Sequence, residues 1–319
     1  MMDFFYRLLR AFRYAGLTLK PKHLKLLSAY RDVPAGSLDV DRGELVLAGT
    51  NVQIEWGSNE FMLRGISLVN DLRRAQGATF TSSGPNEVLL DCAGFKLLIC
   101  DWEELFIAHE VLYHGIYNVA LDRTYRLIDV GMNVGTTALF HAASPQCAHV
   151  DAFELFPATV ERARRNLALN PPLAKKISIH GYGLGANNET AELNYFPALK
   201  GSTGKMGLPS YAFADGKRPK SIKVAVEFRS ASTALEHTFR DAGADALVCK
   251  LDCEGSEYEV MNSLSDAKLL TRVTVFMIEW HGRGPDELKD ILRANGFACL
   301  SFDEHSGTHG MIYGFRGSA

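Results

Sequence analysis

The chain has 319 residues, 47% of them hydrophobic and 22% charged, with 28 Gly and 11 Pro. That composition excludes wholesale disorder, collagen-like repeats and low-complexity arrays, and a chain this long buries enough surface to need no disulfide or metal staple. A formal net charge of −3 excludes a protein that is basic throughout, although residues 1–31 alone carry seven basic groups against Asp3, leaving +6 there and −9 on the remainder.

Met2 to Ala15 reads as an amphipathic helix, with Phe4, Phe5, Leu8, Leu9 and Phe12 opposite Arg7, Arg10 and Arg13. Those arginines interrupt the only early apolar stretch, so no secretory signal is predicted. A second basic helix is expected after Pro21, then short alternating runs near Glu44–Ala48 and Val52–Trp56, and a helix over Asn59–Gln76. Val88–Asp91 and Phe95–Cys100 flank Cys92-Ala93-Gly94 as a hairpin, and Glu103–His114 reads as a helix stopped by Gly115. Residues 1–121 are therefore expected to form an α+β accessory region whose last hairpin and helix wall the active site.

From about Tyr125 short β-rich runs alternate with helical stretches. The strands are expected at Arg126–Val130, His149–Phe153, Ile177–His180, Ala246–Leu251 and Val273–Ile278. Helices are expected from Thr136, over Pro157–Asn170, from Ser256 and over Asp286–Asn295. That alternation predicts an α/β fold, a mostly parallel doubly wound sheet covered on both faces, over residues 122–319. Phe297–Phe302 and Met311–Phe315 have no helix between them, so an antiparallel hairpin is expected at one edge. Between 186 and 245 the alternation breaks: Ala191–Phe196 and Lys223–Phe228 suggest an inserted hairpin, and its long tip, Leu199–Lys220, suggests function.

The six cysteines, at 92, 100, 147, 249, 253 and 299, include no Cys-x-x-Cys pair and suggest neither a zinc site nor a disulfide framework. The longest run without charge, Val130–Val150, contains Asn133, His141, Pro145, Gln146 and His149, so no transmembrane segment is expected. A cytoplasmic protein is the expectation.

The chemistry concentrates at strand ends. Leu127-Ile128-Asp129-Val130-Gly131-Met132-Asn133-Val134-Gly135-Thr136 places an acid and a Gly-x-Asn-x-Gly turn between a buried strand and a helix, where doubly wound sheets bind ligands. Asn133 and Thr136 stand where a dinucleotide fingerprint needs glycines, and no Gly-Lys-Ser/Thr follows for a P-loop. A cofactor without phosphates fits better, and S-adenosylmethionine is the one expected. Gly131, Met132, Asn133 and Gly135 would hold it. Asp129 would lie beneath its methionine end, and Glu154, followed by Leu155, would accept its ribose hydroxyls. Gly183 and Leu184, in His180-Gly181-Tyr182-Gly183-Leu184-Gly185, would reach an adenine edge, although a plain glycine turn explains them equally well.

Lys250-Leu251-Asp252-Cys253-Glu254-Gly255-Ser256-Glu257 closes a later strand with three carboxylates, which can border the cofactor, position a hydroxyl, act as a base or hold a divalent ion. No metal site is predicted. Asp252 and Glu254 are the functional candidates, and Glu257 is read as complementing the helix dipole. His281, in Glu279-Trp280-His281-Gly282, is the expected base, as a neutral imidazole. Asn170-Pro171-Pro172-Leu173 is a helix stop, since it follows a helix and lacks the aromatic residue of amino-methylating enzymes.

Together these blocks resemble the FkbM family of S-adenosylmethionine-dependent methyltransferases. Matching are Glu110-Val111-Leu112 with Gly115-Ile116-Tyr117, Asp129 to Gly135, Ala152-Phe153-Glu154 with Pro157, Asn166 and Asn170, Lys250 to Glu257, and Glu279 with His281. Met132 stands where Ala is common and Leu155 where Pro often follows the acid. The resemblance implies a class I, Rossmann-like fold and methylation of a hydroxyl on a sugar, glycan or secondary metabolite. Lys200, Lys205, Lys217, Arg218 and Lys220 hint at an anionic acceptor covered by the loop, although a solvated loop explains them at least as well. The rival readings are an RNA or protein methyltransferase docking through its basic helices, and a cofactor-binding scaffold that oligomerises through them. Nucleic acid is disfavoured because only Tyr211 and Phe213 offer stacking positions in the loop. The N-terminal helix would pack its apolar face on the body or a second subunit, or lie on an anionic membrane.

Overall fold

The computed structural model describes residues 43–208, 219–303 and 307–317, together with 25, 26, 29, 30, 33, 34 and 37–41. The helix expected over Met2–Ala15, most of the second basic helix and the loop tip bearing Tyr211, Phe213, Lys217 and Arg218 lie outside the described residues. The chain divides into two units, Met1–Ile116 and Tyr117–Ala319.

In the first unit, β1 (Leu38–Asp41) and β2 (Glu44–Leu47) pair antiparallel, with Leu45 and Leu47 buried. The run at Val52–Trp56 makes isolated bridges instead of the expected strand. The helix expected over Asn59–Gln76 is two, Phe61–Arg64 and Ile66–Gln76. They break at Gly65, where a Cβ would lie 2.4 Å from Leu105. β3 (Thr79–Gly84), β4 (Glu87–Cys92) and β5 (Phe95–Ile99) form an antiparallel meander. The β4–β5 turn uses Ala93 at φ 52° and Gly94 at φ 86°, the left-handed pair that a two-residue hairpin requires. Asp101 caps the helix Trp102–His109 by accepting from the Glu104 amide at 2.9 Å. A π-turn, Glu110–His114, then ends at Gly115, φ 64°.

The second unit holds the expected α/β fold. Its strands are β6 (Tyr125–Val130), β7 (Cys147–Phe153), β8 (Ile177–His180), β9 (Gly183–Gly185), β10 (Glu189–Tyr195), β11 (Ile222–Ser230), β12 (Ala246–Leu251), β13 (Val275–His281), β14 (Ala298–Asp303) and β15 (His309–Phe315). Seven make the main sheet, in the order β14-β15-β13-β12-β6-β7-β8. β8, β7, β6, β12 and β13 run parallel; β15 is antiparallel to both its neighbours. The expected C-terminal hairpin forms, but β15 inserts beside β13 and leaves β14 at the edge.

β12 is buried along its whole length, as a strand covered on both faces must be. The core beside it gathers Ile128, Val130, Phe153, Leu251, Tyr258, Phe276 and Ile278. The sheet is built outward from β6 in both directions, so the crevice at the carboxyl ends of β6 and β12 is its topological switch point. The insertion is a separate sheet in the order β10-β11-β9, with Ala191 opposite Val226, over a small core of Phe156, Tyr195, Val226 and Phe228. Among the described residues no helix is long and apolar enough to cross a membrane.

Candidate active site at the switch-point crevice

Backbone crowding shapes the crevice first. Gly131 follows β6 at φ 79°, and a Cβ there would lie 1.6 Å from the Asp252 carbonyl oxygen. Only glycine lets the turn after β6 cross the turn after β12. The amides of Gly131 and Met132 both donate to the Phe153 carbonyl, tying that turn to the end of β7. Asn133 takes φ 52°, a conformation that asparagine tolerates better than most residues, and its amide donates to Glu154 Oε2 at 3.0 Å. Glu154 Oε1 accepts from the Phe156 amide, also at 3.0 Å. Burial pushes the Glu154 carboxyl up to about 7, although those amides favour its charged form. Gly135 begins the helix Thr136–Ala143 at φ 89°.

This turn leaves buried polar atoms without hydrogen-bond partners: Asn133 Oδ1, Thr136 Oγ1 and both carboxyl oxygens of Asp129. Buried orphans are costly, and a ligand or water completes their bonding. A cradle closed to any Cβ, a carboxylate at the neighbouring strand end and orphaned oxygens fit S-adenosylmethionine, which carries an ammonium, ribose hydroxyls and no phosphate.

Behind the cradle Lys250, fully buried in β12, donates to the carbonyl of Gly131 at 2.5 Å and of Val130 at 3.3 Å. Its ammonium lies 3.3 Å from Asp129 Oδ1 and 3.3 Å from Asp252 Oδ2; the first contact is an ion pair without hydrogen-bond geometry. Burial opposes its charge, but Asp252 and Asp129 outweigh that and hold it above the usual lysine range. Burial raises the Asp129 carboxyl, against the pull of Lys250. Asp129, expected beneath the cofactor's methionine end, therefore already faces one internal ammonium.

The second part of the site surrounds His281, at the end of β13. Its Nδ1 lies 3.0 Å from Glu257 Oε1, and its Nε2 lies 3.7 Å from Glu279 Oε1 and 3.8 Å from Glu254 Oε1. Burial favours the neutral ring, but Glu257, Glu254 and Glu279 overcome it and hold His281 protonated well above the usual histidine range. This departs from the expectation of a neutral imidazole base: Glu254 and Glu257, which follow β12, and Glu279, in β13, all favour the protonated ring. Burial pushes Glu254 up to about 8, against the pull of His281, and burial with Asp252 pushes Glu279 up to about 7. Glu254 takes φ 52°, a strained position for its residue type. Glu257, fully buried, pins that turn by accepting from the amides of Cys253 and Gly255, each at 2.9 Å. Its part is thus to orient His281 and the loop, beyond the helix-dipole role expected of it.

Tyr117 joins the two parts. Its hydroxyl lies 2.7 Å from Glu279 Oε2 and 3.1 Å from Asp252 Oδ2. One hydroxyl hydrogen serves one carboxylate at a time, so this arrangement favours a shared proton. The inserted loop covers the acids: a Cβ on Gly204 would lie 2.2 Å from Glu254 Cβ, and one on Gly255 2.4 Å from Met206. Of the basic residues expected to meet an anionic acceptor, Lys205 is paired with Glu189 and Glu259, each at 2.9 Å. Lys200 is buried and Lys220 exposed.

Asp129, Gly131, Met132, Asn133, Gly135 and Glu154 gather at one crevice, with Asp252 crossing it and Glu254 and His281 beside it. Met132 is buried as part of the turn. Leu155 packs with the small core under the insertion. Leu184 is taken into the main core, and Gly183 is wedged where a Cβ would lie 2.9 Å from Leu155 and Phe228. Lys250, Tyr117 and Glu257 were not among the predicted site residues, and Glu279 was named only beside His281 at the strand end. A lysine inside the apolar run Ala246–Leu251 was the available signal for the first, and Tyr117 lies in a block that carried the family resemblance.

A family model described as "Methyltransferase FkbM domain" matches residues 129–299. The methyltransferase sdnD of Sordaria araneosa is 29% identical over 215 residues, covering 61% of this chain and 82% of that protein. The AMB antimetabolite synthetase AmbE of Pseudomonas aeruginosa is 24% identical over 233 residues, and the chain spans 11% of its length. Among solved structures, a methyltransferase FkbM from Methylobacillus flagellatus KT is similar at 14% identity and a TM-score of 0.37, covering 80% of this chain and 60% of that one.

Proposed function

The chain belongs to the FkbM family of methyltransferases, and from that premise we propose that it transfers the methyl group of S-adenosylmethionine to a hydroxyl of a sugar, glycan or secondary metabolite. When bound, S-adenosylmethionine supplies an electrophilic methyl group on a sulfonium. Glu154 would accept its ribose hydroxyls, and the orphaned oxygens of Asn133, Thr136 and Asp129 would complete their bonding in the same cradle.

This chain's own part in the chemistry is to orient the acceptor and take its proton. Orientation in near-attack geometry can supply ~7–11 kcal/mol of the barrier. A general base adds a factor of about 10²–10⁴ and works best with a pKa near the operating pH. Glu254, raised to about 8 by burial, fits that need, and we assign it the hydroxyl proton. His281 is the positioning cation: with Nδ1 fixed on Glu257, its Nε2 faces Glu254 and Glu279 and keeps both carboxyls in place. Asp252, fixed by Lys250 and Tyr117, would border both substrates.

The observation that carries the hydroxyl reading is the buried carboxyl of Glu254, poised near neutral pH, two residues from the Asp252 carbonyl that closes the cradle. Calorimetric titration with S-adenosylmethionine, followed by a screen of glycans and metabolites for S-adenosylhomocysteine release, tests it. The expected result is binding, with turnover on hydroxyl acceptors. No binding, or turnover only on amines, overturns it.

A further inference from the structure

On β7 and β8, apart from the crevice, three imidazoles converge on one buried carboxylate oxygen. Asp151 stands inside β7 with its side chain 4% exposed. Nε2 of His180, from β8, lies 3.1 Å from Asp151 Oδ1, Nε2 of His237, from the helix Glu236–Asp241, 3.5 Å, and Nε2 of His149, two residues back on β7, 3.7 Å. The other oxygen, Oδ2, accepts from the Thr238 hydroxyl at 2.9 Å. None of these residues serves the cofactor cradle or the His281 group.

Neutralising one carboxylate takes one cation, whereas His180 and His237, from different elements, both bring Nε2 to Asp151 Oδ1. His149 Nε2 lies nearer Ser178 Oγ, at 3.1 Å, and His237 Nε2 is also 3.3 Å from Thr238 Oγ1. A tetrahedral zinc ion with bonds of about 2.0–2.2 Å has ligand-to-ligand edges of about 3.3–3.6 Å. The Asp151 contact to His237, 3.5 Å, falls on that edge and the contact to His180, 3.1 Å, is slightly shorter, and the three ligand atoms all lie within 4.8 Å of one another. The surroundings hold the ligands as a metal's outer shell does. Thr238 fixes the carboxylate, and Phe153 stacks on His180 at 4.5 Å and 14°. The His237 side chain, 39% exposed, leaves an entry path.

We propose that Asp151, His180 and His237 bind a divalent transition metal of the zinc type, with water as the fourth ligand on the open His237 side. The ion would clamp the helix Glu236–Asp241, which follows the insertion, onto β7 and β8. Each coordinating Nε2 must be free of its proton, so binding releases protons and tightens as pH rises.

Chelator-treated full-length protein is titrated with zinc by calorimetry and with cobalt(II) by visible absorption. The expected result is one zinc per chain, an intense four-coordinate cobalt spectrum, proton release and a raised melting temperature. His237→Gln, at the most exposed ligand, should weaken binding about 100-fold and abolish the thermal shift, and the double variant His180→Gln/His237→Gln should lose the cobalt spectrum. His281→Gln, at the other histidine–carboxylate group, should retain the zinc. The proposal is overturned if wild-type protein binds no zinc, if His237→Gln binds it as wild type does, or if binding disappears in His281→Gln alone.

Discussion

The cradle after β6 and the acid group around His281 neighbour each other at the same rim of one sheet, yet they are built by different physics. The cradle is made of backbone: a glycine crossing, a left-handed asparagine and amides aimed at Glu154, with side-chain oxygens left unpaired. The His281 group is made of charge: Glu257, Glu254 and Glu279 converge on one ring. Shape without satisfied bonds suits holding a ligand. Coupled groups with pKa values near neutrality suit moving a proton.

The sharpest way to break this comparison is to put a side chain into the cradle. Gly131→Ala sets a Cβ against the Asp252 carbonyl at 1.6 Å, and it should cost about 3 kcal/mol or more in urea unfolding and abolish cofactor binding. Wild-type stability would show that the two turns do not need to cross so closely. Next, Glu254→Gln should lower kcat about 10²–10⁴-fold in a S-adenosylhomocysteine release assay while cofactor affinity stays unchanged. A loss confined to affinity would move Glu254 to the cradle side.

A milder test is pH. Glu154 must be ionised to accept ribose hydroxyls, and its carboxyl titrates at about 7. Cofactor affinity should therefore be full above that value and fall by about tenfold per unit as pH drops below it. Calorimetry across pH should show this slope in wild type and none in Glu154→Gln, which binds weakly throughout. The smallest effect belongs to Glu257→Gln. It removes the nearest carboxylate from His281, so the ring's NMR titration midpoint should fall toward the ordinary histidine value; an unmoved midpoint would assign the imidazolium to Glu254 and Glu279 alone.

The two regions also differed in how far the sequence disclosed them. A turn of glycines between a buried strand and a helix declares its geometry locally, so Gly131, Asn133, Gly135 and Glu154 were legible, as was the strand–helix alternation. The charge state of His281 was not, because its partners come from the ends of β12 and β13 and meet only in the fold. Lys250 was hidden for a related reason: a lone lysine in an apolar strand has meaning only once Asp129 and Asp252 face it. The partner strand of Gly183 and Leu184 was equally hidden, because they pair with β11, which comes only after the inserted loop. The polar run of β3 gave no alternation to read, and only pairing with β4 makes it a strand.

The contact between Gly131 and Asp252 also bears on biosynthesis. A ribosome delivers β6, β7 and β8 well before β12, and the insertion must emerge before β12 can dock beside β6. A nascent chain halted before that point can pair its first three strands, but the wall supplied by Asp252 is missing from its crevice and none of the His281 group exists. Contacts so distant along the chain are slow to close. The crossing thereby acts as a check on completeness, and methyl transfer begins only in a polypeptide whose β12 and β13 have been translated and seated.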